Sequence, residues 1–279
     1  EVDLEKLYPQ LDYENDVAPR QHMRERAAQL ARADDGHLLH RCDIVMAMQS
    51  LSGKVALVTG GVRGIGLAIC KRLIQRGVLV TAGYSRNEQA ANEFLEAHES
   101  RGASVGKGNI AHPPDCERVI KEIVDQHGRL DIVVNNAGIT VDRTVRKMTG
   151  EEWAHVIDVN LNGAFYMSSA ALEQMIDQGY GRIINISSVI GETGNIGQAN
   201  YAAAKSGLFG LTMSLALESA NKGITVNCVA PGFIATEMVS ALPENVLEKV
   251  VAQIPAGRLG EPDEVARSFV RRMRARGAF

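Results

Sequence analysis

Residues 55–66 read VALVTGGVRGIG, a short apolar run followed directly by a glycine-rich segment. Four consecutive apolar residues that begin and end with valine predict a buried β-strand over Val55–Val58. Beyond Gly66, apolar side chains recur at helical spacing as far as Gly77, and glycine commonly ends helices. Strand, glycine loop and helix in this order favour the first βα unit of a parallel α/β sheet.

The loop Thr59–Gly66 has the spacing Thr-Gly-x-x-x-Gly-x-Gly rather than GxGxxG. Small residues let the backbone approach a pyrophosphate, and the first turn of the following helix offers free N–H groups. A glycine-rich turn that binds nothing is the alternative, but the strand before it and the helix after it argue against that reading. We therefore expect a dinucleotide to bind at this loop.

The next predicted strand, Leu79–Tyr84, is followed by Ser85, Arg86 and Asn87. A site that prefers NAD normally supplies a carboxylate here for the ribose 2′-hydroxyl. Arg86, together with Arg63 of the glycine loop, suits a 2′-phosphate instead. We expect NADPH to be preferred over NADH, with two merely solvated arginines as the alternative, since surface arginines are common.

Strand and helix patterns alternate along the rest of the chain. They predict strands over Ser104–Gly108, Ile132–Val134 and Ile183–Ile186, and helices over Glu88–Glu99, Pro113–His127 and Trp153–Met175. Such alternation predicts an α/β fold with a parallel, doubly wound sheet and right-handed crossovers.

A proton-transfer site is predicted beyond the strand that ends at Ile186. Tyr201 and Lys205 lie four residues apart in an Ala-rich helical segment that begins at Ala199, so they share one helical face. Ser188 follows the strand at the end where parallel sheets bind ligands. An ammonium about 4 to 5 Å from a phenol is expected to lower the pKa of that phenol by about 2 to 3 units. The pair is weak evidence alone and gains weight from the dinucleotide site that precedes it.

Together these motifs resemble the short-chain dehydrogenase/reductase family over about residues 51–266. The motifs occur in the family's order: Thr59–Gly66, Asn135–Gly138, Asn160, Ser188, Tyr201 with Lys205, and Pro231 with Gly232. The resemblance implies a single Rossmann-type domain and a catalytic tetrad of Asn160, Ser188, Tyr201 and Lys205. It also implies a homotetramer, which we expect if the C-terminus permits it.

The resemblance further implies which residues contact the cofactor and the substrate. Besides Tyr201 and Lys205, the implied NADP(H) contacts are Gly60, Arg63, Gly64, Ile65, Gly66, Ser85, Arg86, Asn109, Ile110, Asn136, Ala137, Gly138, Pro231, Gly232, Ile234 and Thr236. The implied substrate contacts are Ser188, Gln198, Tyr201 and Phe233. For Gln198 and Phe233, a polar loop residue and a core aromatic residue are equally good interpretations.

Within the family, the chain is most similar to the 3-oxoacyl thioester reductases. The similar segments are NNAGIT at 135–140, RKM at 146–148, GQANY at 197–201 and PGFIATEM at 231–238. Acetoacetyl-CoA reductases and 3-oxoacyl-acyl-carrier-protein reductases are the two closest groups, and the residues do not separate them. The resemblance implies hydride transfer from NADPH to a C3 ketone, with Tyr201 as proton donor and Ser188 polarising the carbonyl. A non-catalytic cofactor-binding relative, or a dehydrogenase of another alcohol or ketone, is the alternative.

Composition is ordinary for a globular α/β domain, with 279 residues, 45% of them hydrophobic and 23% charged. The net charge of −3 gives no basic field, so we expect no nucleic-acid partner. No apolar stretch approaches about 18 residues, and no secretory signal is visible, so we expect no membrane span. The four cysteines, Cys42, Cys70, Cys116 and Cys228, have no metal-binding spacing and predict reduced thiols in a cytoplasmic protein without a metal site.

Residues 1–50 differ in character from the rest of the chain. Their one helical pattern, around 21–33, is highly charged and carries only a thin apolar stripe. We interpret the segment as an N-terminal extension of uncertain order or an artefact of how the chain was defined, with docking of this helix as the alternative. Its histidines, His22, His37 and His40, are expected to be solvated.

Residues 267–279 form an atypical basic segment in which no strand is readable. It contains Arg267, Arg271, Arg272, Arg274 and Arg276. The resemblance implies a final strand at this point, so we expect the sheet to lack it and to leave an edge unpaired. An altered reading or a truncation is the favoured explanation, and a basic tail that binds an acidic surface or CoA phosphates is the alternative.

Overall fold

The computed structural model describes residues 51–240 and 244–273. The chain divides into the units Glu1–Ser50 and Leu51–Phe279, and the fold described below belongs to the second unit. The predicted helix around 21–33, its neighbouring histidines and Cys42 lie outside the described residues, as do residues 241–243 and 274–279.

Six parallel strands form a single sheet. They are β1 (Val55–Val58), β2 (Leu79–Tyr84), β3 (Ala103–Lys107), β4 (Ile132–Asn135), β5 (Gly181–Ile186) and β6 (Ile224–Val229). The strand order is β3-β2-β1-β4-β5-β6, the Rossmann order. The direction of winding changes between β1 and β4, and open sheets of this kind bind ligands outside the carboxyl ends of the strands at that point. The predicted fold class is confirmed.

Ten helices of the described residues surround this sheet. They are α1 (Gly64–Ile74), α2 (Glu88–His98), α3 (Pro113–His127), α4 (Gly150–Ile157), α5 (Gly163–Asp177), α6 (Ile190–Thr193), α7 (Ala199–Ser219), α8 (Glu237–Ser240), α9 (Glu244–Gln253) and α10 (Pro262–Met273). Sequence signals mark their ends: Thr149 and Glu152 form a capping box at the start of α4, and Gly128 ends α3 with a φ of 70°.

Buried side chains lie on both faces of the sheet, which explains why the strands read as continuous apolar runs. Along β1, Val55 and Leu57 belong to one core cluster, and Ala56 and Val58 belong to the other. The first cluster includes residues of α3, α5 and α7, and the second includes residues of α1, α2 and α10. Helices therefore cover both faces, and the open end of the sheet carries the functional loops.

The long helix predicted over Trp153–Met175 is interrupted. Between α4 and α5, residues Asp158–Asn162 form a π-helical turn, so the segment is continuous but its register shifts by part of a turn. Asn160 lies in this turn and is buried. The extra residue of a π turn rotates a side chain away from the regular helical stripe, and no spacing pattern in the sequence indicates it.

The C-terminal helix α10 packs against α1. Val265, Ala266 and Phe269 are buried, and Phe269 is among the largest fully buried side chains in the described residues. Arg72 of α1 pairs with Asp263 through two hydrogen bonds of 2.6 and 2.5 Å. Residues 267–273 thus continue a docked helix. Over residues 51–240 and 244–273 no seventh strand follows β6, which forms an edge of the sheet. In the same residues, no helix has the length and apolar character needed to cross a membrane.

Candidate active site

A cavity of about 830 Å³ opens at the carboxyl ends of the strands, between the glycine loop and the start of α7. With one exception, every residue predicted to contact the cofactor or the substrate lines this cavity. The exception is Gly66, which lies in α1 behind the loop. The predicted catalytic residues Ser188, Tyr201 and Lys205 line the cavity, and Asn160 supports its wall from behind.

The glycine loop fits a dinucleotide because its glycines leave no room for side chains. A Cβ atom at Gly66 would lie 2.2 Å from the Gly60 carbonyl oxygen, and one at Gly60 would lie 3.1 Å from the Cα of Ala137. Arg63 precedes α1 without a capping hydrogen bond from its side chain, and the first turn of α1 contains no acidic residue. The free N–H groups of this turn can therefore receive a phosphate.

Thr59 and Asn136 tie the glycine loop to the end of β4. The Thr59 hydroxyl donates to the Val134 carbonyl at 3.2 Å and accepts from the amides of Asn136 and Ala137 at 3.0 Å each. The Asn136 side chain donates to the carbonyl oxygens of Thr59 and Gly60 at 3.0 and 3.2 Å. Thr59 was part of the predicted motif but was not predicted as a site residue, although it fixes the distance between the two loops.

The end of the cavity beyond β2 and β3 is lined by Ser85, Arg86, Asn109 and Ile110, and Arg63 of the glycine loop lines the same cavity. The start of α3 holds this end in place: Asp115 accepts from the Asn109 amide at 2.8 Å, and the Cys116 thiol donates to the Ile110 carbonyl at 3.4 Å. Arg63 and Arg86 are both exposed. Asp115 and Cys116 line the cavity too and were not predicted, because a Pro-Pro-Asp-Cys helix start carries no ligand signal.

Strand β5 and helix α7 bring the proton-transfer residues together. Ser188 lies just past the end of β5, and its hydroxyl accepts from the Ile190 amide at 3.2 Å. Tyr201 and Lys205 lie in the first turns of α7, with the Lys205 Nζ atom 5.6 Å from the centre of the Tyr201 ring. The Lys205 ammonium donates to the Ile186 carbonyl at 2.7 Å. The serine, the phenol and the ammonium therefore meet at one wall of the cavity.

Asn160 reaches the same wall through the backbone of Ile139. Its side chain accepts from the Ile139 amide at 2.8 Å and donates to the Ile139 carbonyl at 2.9 Å. A Cβ atom at Gly138 would lie 3.3 Å from Asn160 Oδ1 and 3.5 Å from Lys205 Nζ. The absence of a side chain at Gly138 thus lets the π-helical turn and the buried lysine approach each other.

Burial dominates the electrostatics of this group. It raises the pKa of Tyr201, a hydrogen bond with Ser188 lowers it, and the charge of Asp142 raises it, so the pKa lies above its ordinary value. Burial lowers the pKa of Lys205 to about 8. The predicted net lowering of the Tyr201 pKa is not seen in this structure, because desolvation of the phenol outweighs its hydrogen bond with Ser188. A phenol that stays protonated at neutral pH is a proton donor.

Two loops close the substrate end of the cavity. The Gln198 side chain donates to Asp142 at 3.1 Å and accepts from Asn195 at 2.8 Å, and the Arg143 amide donates to the Gly197 carbonyl at 2.8 Å. Gln198 and Phe233 are partly buried and line the cavity. Asp142 also lines it and was not predicted, since one acidic residue in a loop has no distinguishing pattern.

Comparison with known proteins identifies the family. The sequence profile of the short chain dehydrogenase family matches residues 54–247, and the chain belongs to this family, as the motifs predicted. It is an oxidoreductase that interconverts a CH–OH group and a carbonyl group, and this family uses a nicotinamide cofactor, which the cavity fits. In the described residues, no three His, Cys, Asp or Glu side chains are grouped so as to hold a metal ion.

Curated relatives are similar over most of their length. The acetoacetyl-CoA reductase of Rhizobium meliloti (strain 1021) is 50% identical over 218 residues, covering 78% of this chain and 89% of the relative. The acetoacetyl-CoA reductase of Cupriavidus necator is 45% identical over 218 residues, covering 77% and 89%. The 3-oxoacyl-acyl-carrier-protein reductase FabG of Vibrio cholerae is 48% identical over 217 residues, covering 78% and 88%.

Proposed function

We propose that this protein is an NADPH-dependent reductase that converts a 3-oxoacyl thioester to the 3-hydroxyacyl thioester. The observation that carries the proposal is that Ser188, Tyr201 and Lys205 line the same cavity as the glycine loop. A carbonyl carbon can then lie near a bound nicotinamide while its oxygen lies near the phenol. The printed names of the relatives, acetoacetyl-CoA reductase and 3-oxoacyl-acyl-carrier-protein reductase, supply the substrate class.

Each member of the tetrad has a distinct part in this proposal. Ser188 donates a hydrogen bond to the C3 carbonyl oxygen and polarises it. Tyr201 donates its proton to that oxygen, and its phenol becomes a phenolate. A bound nicotinamide would supply the hydride to C3, so that the C=O group becomes CH–OH. Lys205 stabilises that phenolate. Asn160 fixes the loop at Ile139 beside Lys205 and supports a water-linked path through which the proton is replaced.

The proposed cofactor preference rests on charge. Arg63 and Arg86 are exposed at the end of the cavity beyond β2, where a ribose 2′-substituent lies in this fold. A guanidinium suits a phosphate through charge-assisted, bidentate hydrogen bonds, whereas the ribose hydroxyl of NAD needs an acceptor. Residues 85 to 87 of this chain are serine, arginine and asparagine, and none of them carries a carboxylate.

Phe233 and Gln198 are the proposed substrate contacts besides Ser188 and Tyr201. Both line the cavity, the apolar Phe233 from the segment after β6 and the polar Gln198 from the start of α7. An acyl chain can lie against the ring of Phe233 while the amide of Gln198 donates to or accepts from the thioester region. This arrangement does not distinguish CoA from acyl carrier protein, and the relatives include reductases named for each.

A homotetramer is part of the proposal. The outer faces of α5 and α7 expose Phe165, Met213 and Leu217 to 48%, 62% and 82%. Large apolar side chains on two adjacent helices favour contact with a second copy of the chain. The cytoplasmic location also stays a prediction, supported by the free thiols of Cys70, Cys116 and Cys228.

A turnover assay tests the proposed function. Purified protein is mixed with NADPH and acetoacetyl-CoA, then with a 3-oxoacyl-acyl carrier protein and with a simple ketone, and the nicotinamide absorbance is followed. We expect turnover of at least one thioester, with a kcat of roughly 1 to 10³ s⁻¹. Binding of NADPH without turnover by the folded protein would favour the non-catalytic alternative. Turnover of the simple ketone alone would place the enzyme in another substrate class.

A further inference from the structure

Three successive residues at the end of β5 hold helix α7 by hydrogen bonds. The Asn185 side chain donates to the Thr212 hydroxyl at 2.8 Å, and the Ile186 carbonyl accepts from the Lys205 ammonium at 2.7 Å. The Ser187 hydroxyl donates to the Lys205 carbonyl at 2.7 Å. Lys205 is thus held at both ends, by its side chain and by its backbone, through two neighbouring residues of one chain segment.

We propose that Ser187 is a positioning residue that sets the place of Lys205 in the reductase reaction. The inference rests on the proposed function and adds a residue to it. Ser187 is 3% exposed, and its hydroxyl contacts the backbone of Lys205. It acts on the reaction through Lys205, in contrast to Ser188, which faces the reacting oxygen.

The hydrogen bond from Ser187 is not needed to complete the helix. The carbonyl of Lys205 lies in the interior of α7, where a helical carbonyl already accepts from the amide four residues later. The Ser187 hydroxyl therefore adds a second donor to a satisfied acceptor. Its consequence is to fix the position of the helix backbone at Lys205 relative to the end of β5.

Close packing of Gly191 against the same backbone supports this interpretation. A Cβ atom at Gly191 would lie 2.8 Å from the carbonyl carbon of Lys205 and 2.9 Å from the amide nitrogen of Ser206. The segment from Ser187 to Gly191 therefore meets the Lys205 backbone at both of its ends. Two separate contacts from one loop leave little freedom for this turn of the helix.

Position matters here because the side chain of Lys205 is long and its charge is buried. A lysine side chain has a flexible four-carbon stem, and burial disfavours its charged ammonium. The ammonium of Lys205 therefore stays near the phenol only if the backbone of Lys205 is fixed. Displacement of a catalytic group by about 1 Å can cost about 10²-fold in rate. The titratable groups around Lys205 are Tyr201 on the same helix, Cys228 of β6, and Asp142, which acts on Tyr201 from the loop after β4.

The test compares Ser187→Ala with Ser219→Ala in the full-length protein. Ser219 is also fully buried and also donates to a carbonyl of α7, that of Leu215, but it lies at the far end of the helix. Each substitution removes one buried hydrogen bond from a serine hydroxyl to a carbonyl of α7, but the Ser187 bond joins the end of β5 to the helix, whereas the Ser219 bond lies within the helix. Thermal unfolding measures the stability that each variant loses, and a change in catalysis beyond that loss reports on Lys205.

For Ser187→Ala we expect kcat to fall about tenfold, with KM for the thioester changed less than about twofold. In the oxidation direction, which needs the phenolate of Tyr201, the rising limb of the pH profile of kcat should move to higher pH, because a displaced ammonium stabilises the phenolate less. The Kd of NADPH should rise about threefold, since Lys205 also belongs to the proposed cofactor contacts. Ser219→Ala should change none of these quantities, and Ser187→Thr, which keeps the hydroxyl, should behave as the wild type.

Equal kcat, pH profile and NADPH affinity in Ser187→Ala and Ser219→Ala would overturn the inference. The same holds if Ser187→Thr loses as much activity as Ser187→Ala, because the hydroxyl would then not be the cause. If the wild type binds NADPH but reduces no thioester, the proposed function fails on its own, and the NADPH affinities of the two alanine variants still decide the role of Ser187.

Discussion

At the scale of single residues, the sequence predicts which residues form the site better than it predicts their pKa values. Ser188, Tyr201 and Lys205 were recognised from spacing and from the family resemblance, and the structure places them together. The pKa of Tyr201 was not foreseen correctly, since it depends on burial, which no local pattern reports. The roles of Asp142 and Thr59 are not predicted either, because they come from hydrogen bonds with residues distant in sequence, Gln198 and Asn136.

Lys205 is expected to lower the stability of the fold at neutral pH. Its pKa in the folded state is about 8, below the value of about 10.4 for an exposed lysine, so the buried charged form is disfavoured. The destabilisation is fully present below about pH 8 and is relieved as the pH rises towards about 10.4. The free energy of unfolding of Lys205→Met, relative to that of the wild type, should therefore be most favourable at pH 7. This difference should shrink by about 1 to 3 kcal/mol by pH 10.

Urea unfolding at both pH values measures this difference in the free energy of unfolding. Lys222→Met, which alters an exposed lysine, is the control and should show no such change between pH 7 and pH 10. If the difference in the free energy of unfolding between Lys205→Met and the wild type stays constant or grows with pH, the lowered pKa of Lys205 is contradicted.

Arg86 is expected to discriminate between the two nicotinamide cofactors. Arg86→Ala should weaken NADPH binding by roughly tenfold or more, because a charge-assisted contact to the 2′-phosphate is lost, and should leave NADH binding almost unchanged. Binding is measured by cofactor fluorescence or by thermal stabilisation at matched concentrations. Arg101→Ala, at an exposed arginine that does not line the cavity, is the control. Equal losses for NADPH and NADH would show that Arg86 does not contact the 2′-phosphate.

At the scale of elements, five of the six strands are predicted from the sequence, and glycine or proline indicates several helix ends, but no strand is predicted at β6. The predicted strand Leu79–Tyr84 matches β2, and the strands predicted at 104–108 and 132–134 differ from β3 and β4 by one residue at their ends. The π-helical turn at Asp158–Asn162 was not foreseen, because it adds one residue to a helix without changing composition. The docking of α10 is not predicted, because the many arginines of this segment indicate an exposed tail, although positions 265, 266 and 269 are apolar and buried.

Phe269 is expected to anchor α10 to the domain. The side chain is fully buried, so Phe269→Ala should lower the free energy of unfolding by about 3 to 5 kcal/mol through lost burial and the cavity left behind. Ser268→Ala, at an exposed position on the same helix, is the matched control and should cost less than about 0.5 kcal/mol. Denaturant unfolding measures both. A loss below about 1 kcal/mol for Phe269→Ala would show that the helix contributes little to the core.

At the scale of the whole molecule, the alternation of strands and helices was enough to predict a parallel, doubly wound sheet. The strand order β3-β2-β1-β4-β5-β6 comes from the structure, since the alternation predicts parallel, right-handed crossovers but not which strands lie side by side. The surface through which copies of the chain would assemble is not predicted by the sequence pattern. The exposure of Phe165 on α5 and of Met213 and Leu217 on α7 is seen only in the folded structure.

Leu217→Glu is expected to disrupt the proposed homotetramer. The side chain is 82% exposed, so a glutamate costs little in the isolated chain but places a charge in a contact between copies. Light scattering should show a tetramer for the wild type and a smaller species for Leu217→Glu, with similar circular dichroism. Glu218→Gln, at the adjacent exposed position, is the control. A wild-type monomer, or an unchanged tetramer in Leu217→Glu, would contradict assembly through this face.

The kcat of Tyr201→Phe with NADPH and a 3-oxoacyl thioester tests the proposed mechanism most directly. The substitution removes only the hydroxyl that donates the proton. We expect kcat to fall by about 10³-fold, with the Kd of NADPH within about twofold of the wild-type value. A Tyr201→Phe variant that keeps more than about a tenth of the wild-type kcat would show that another group protonates the substrate oxygen.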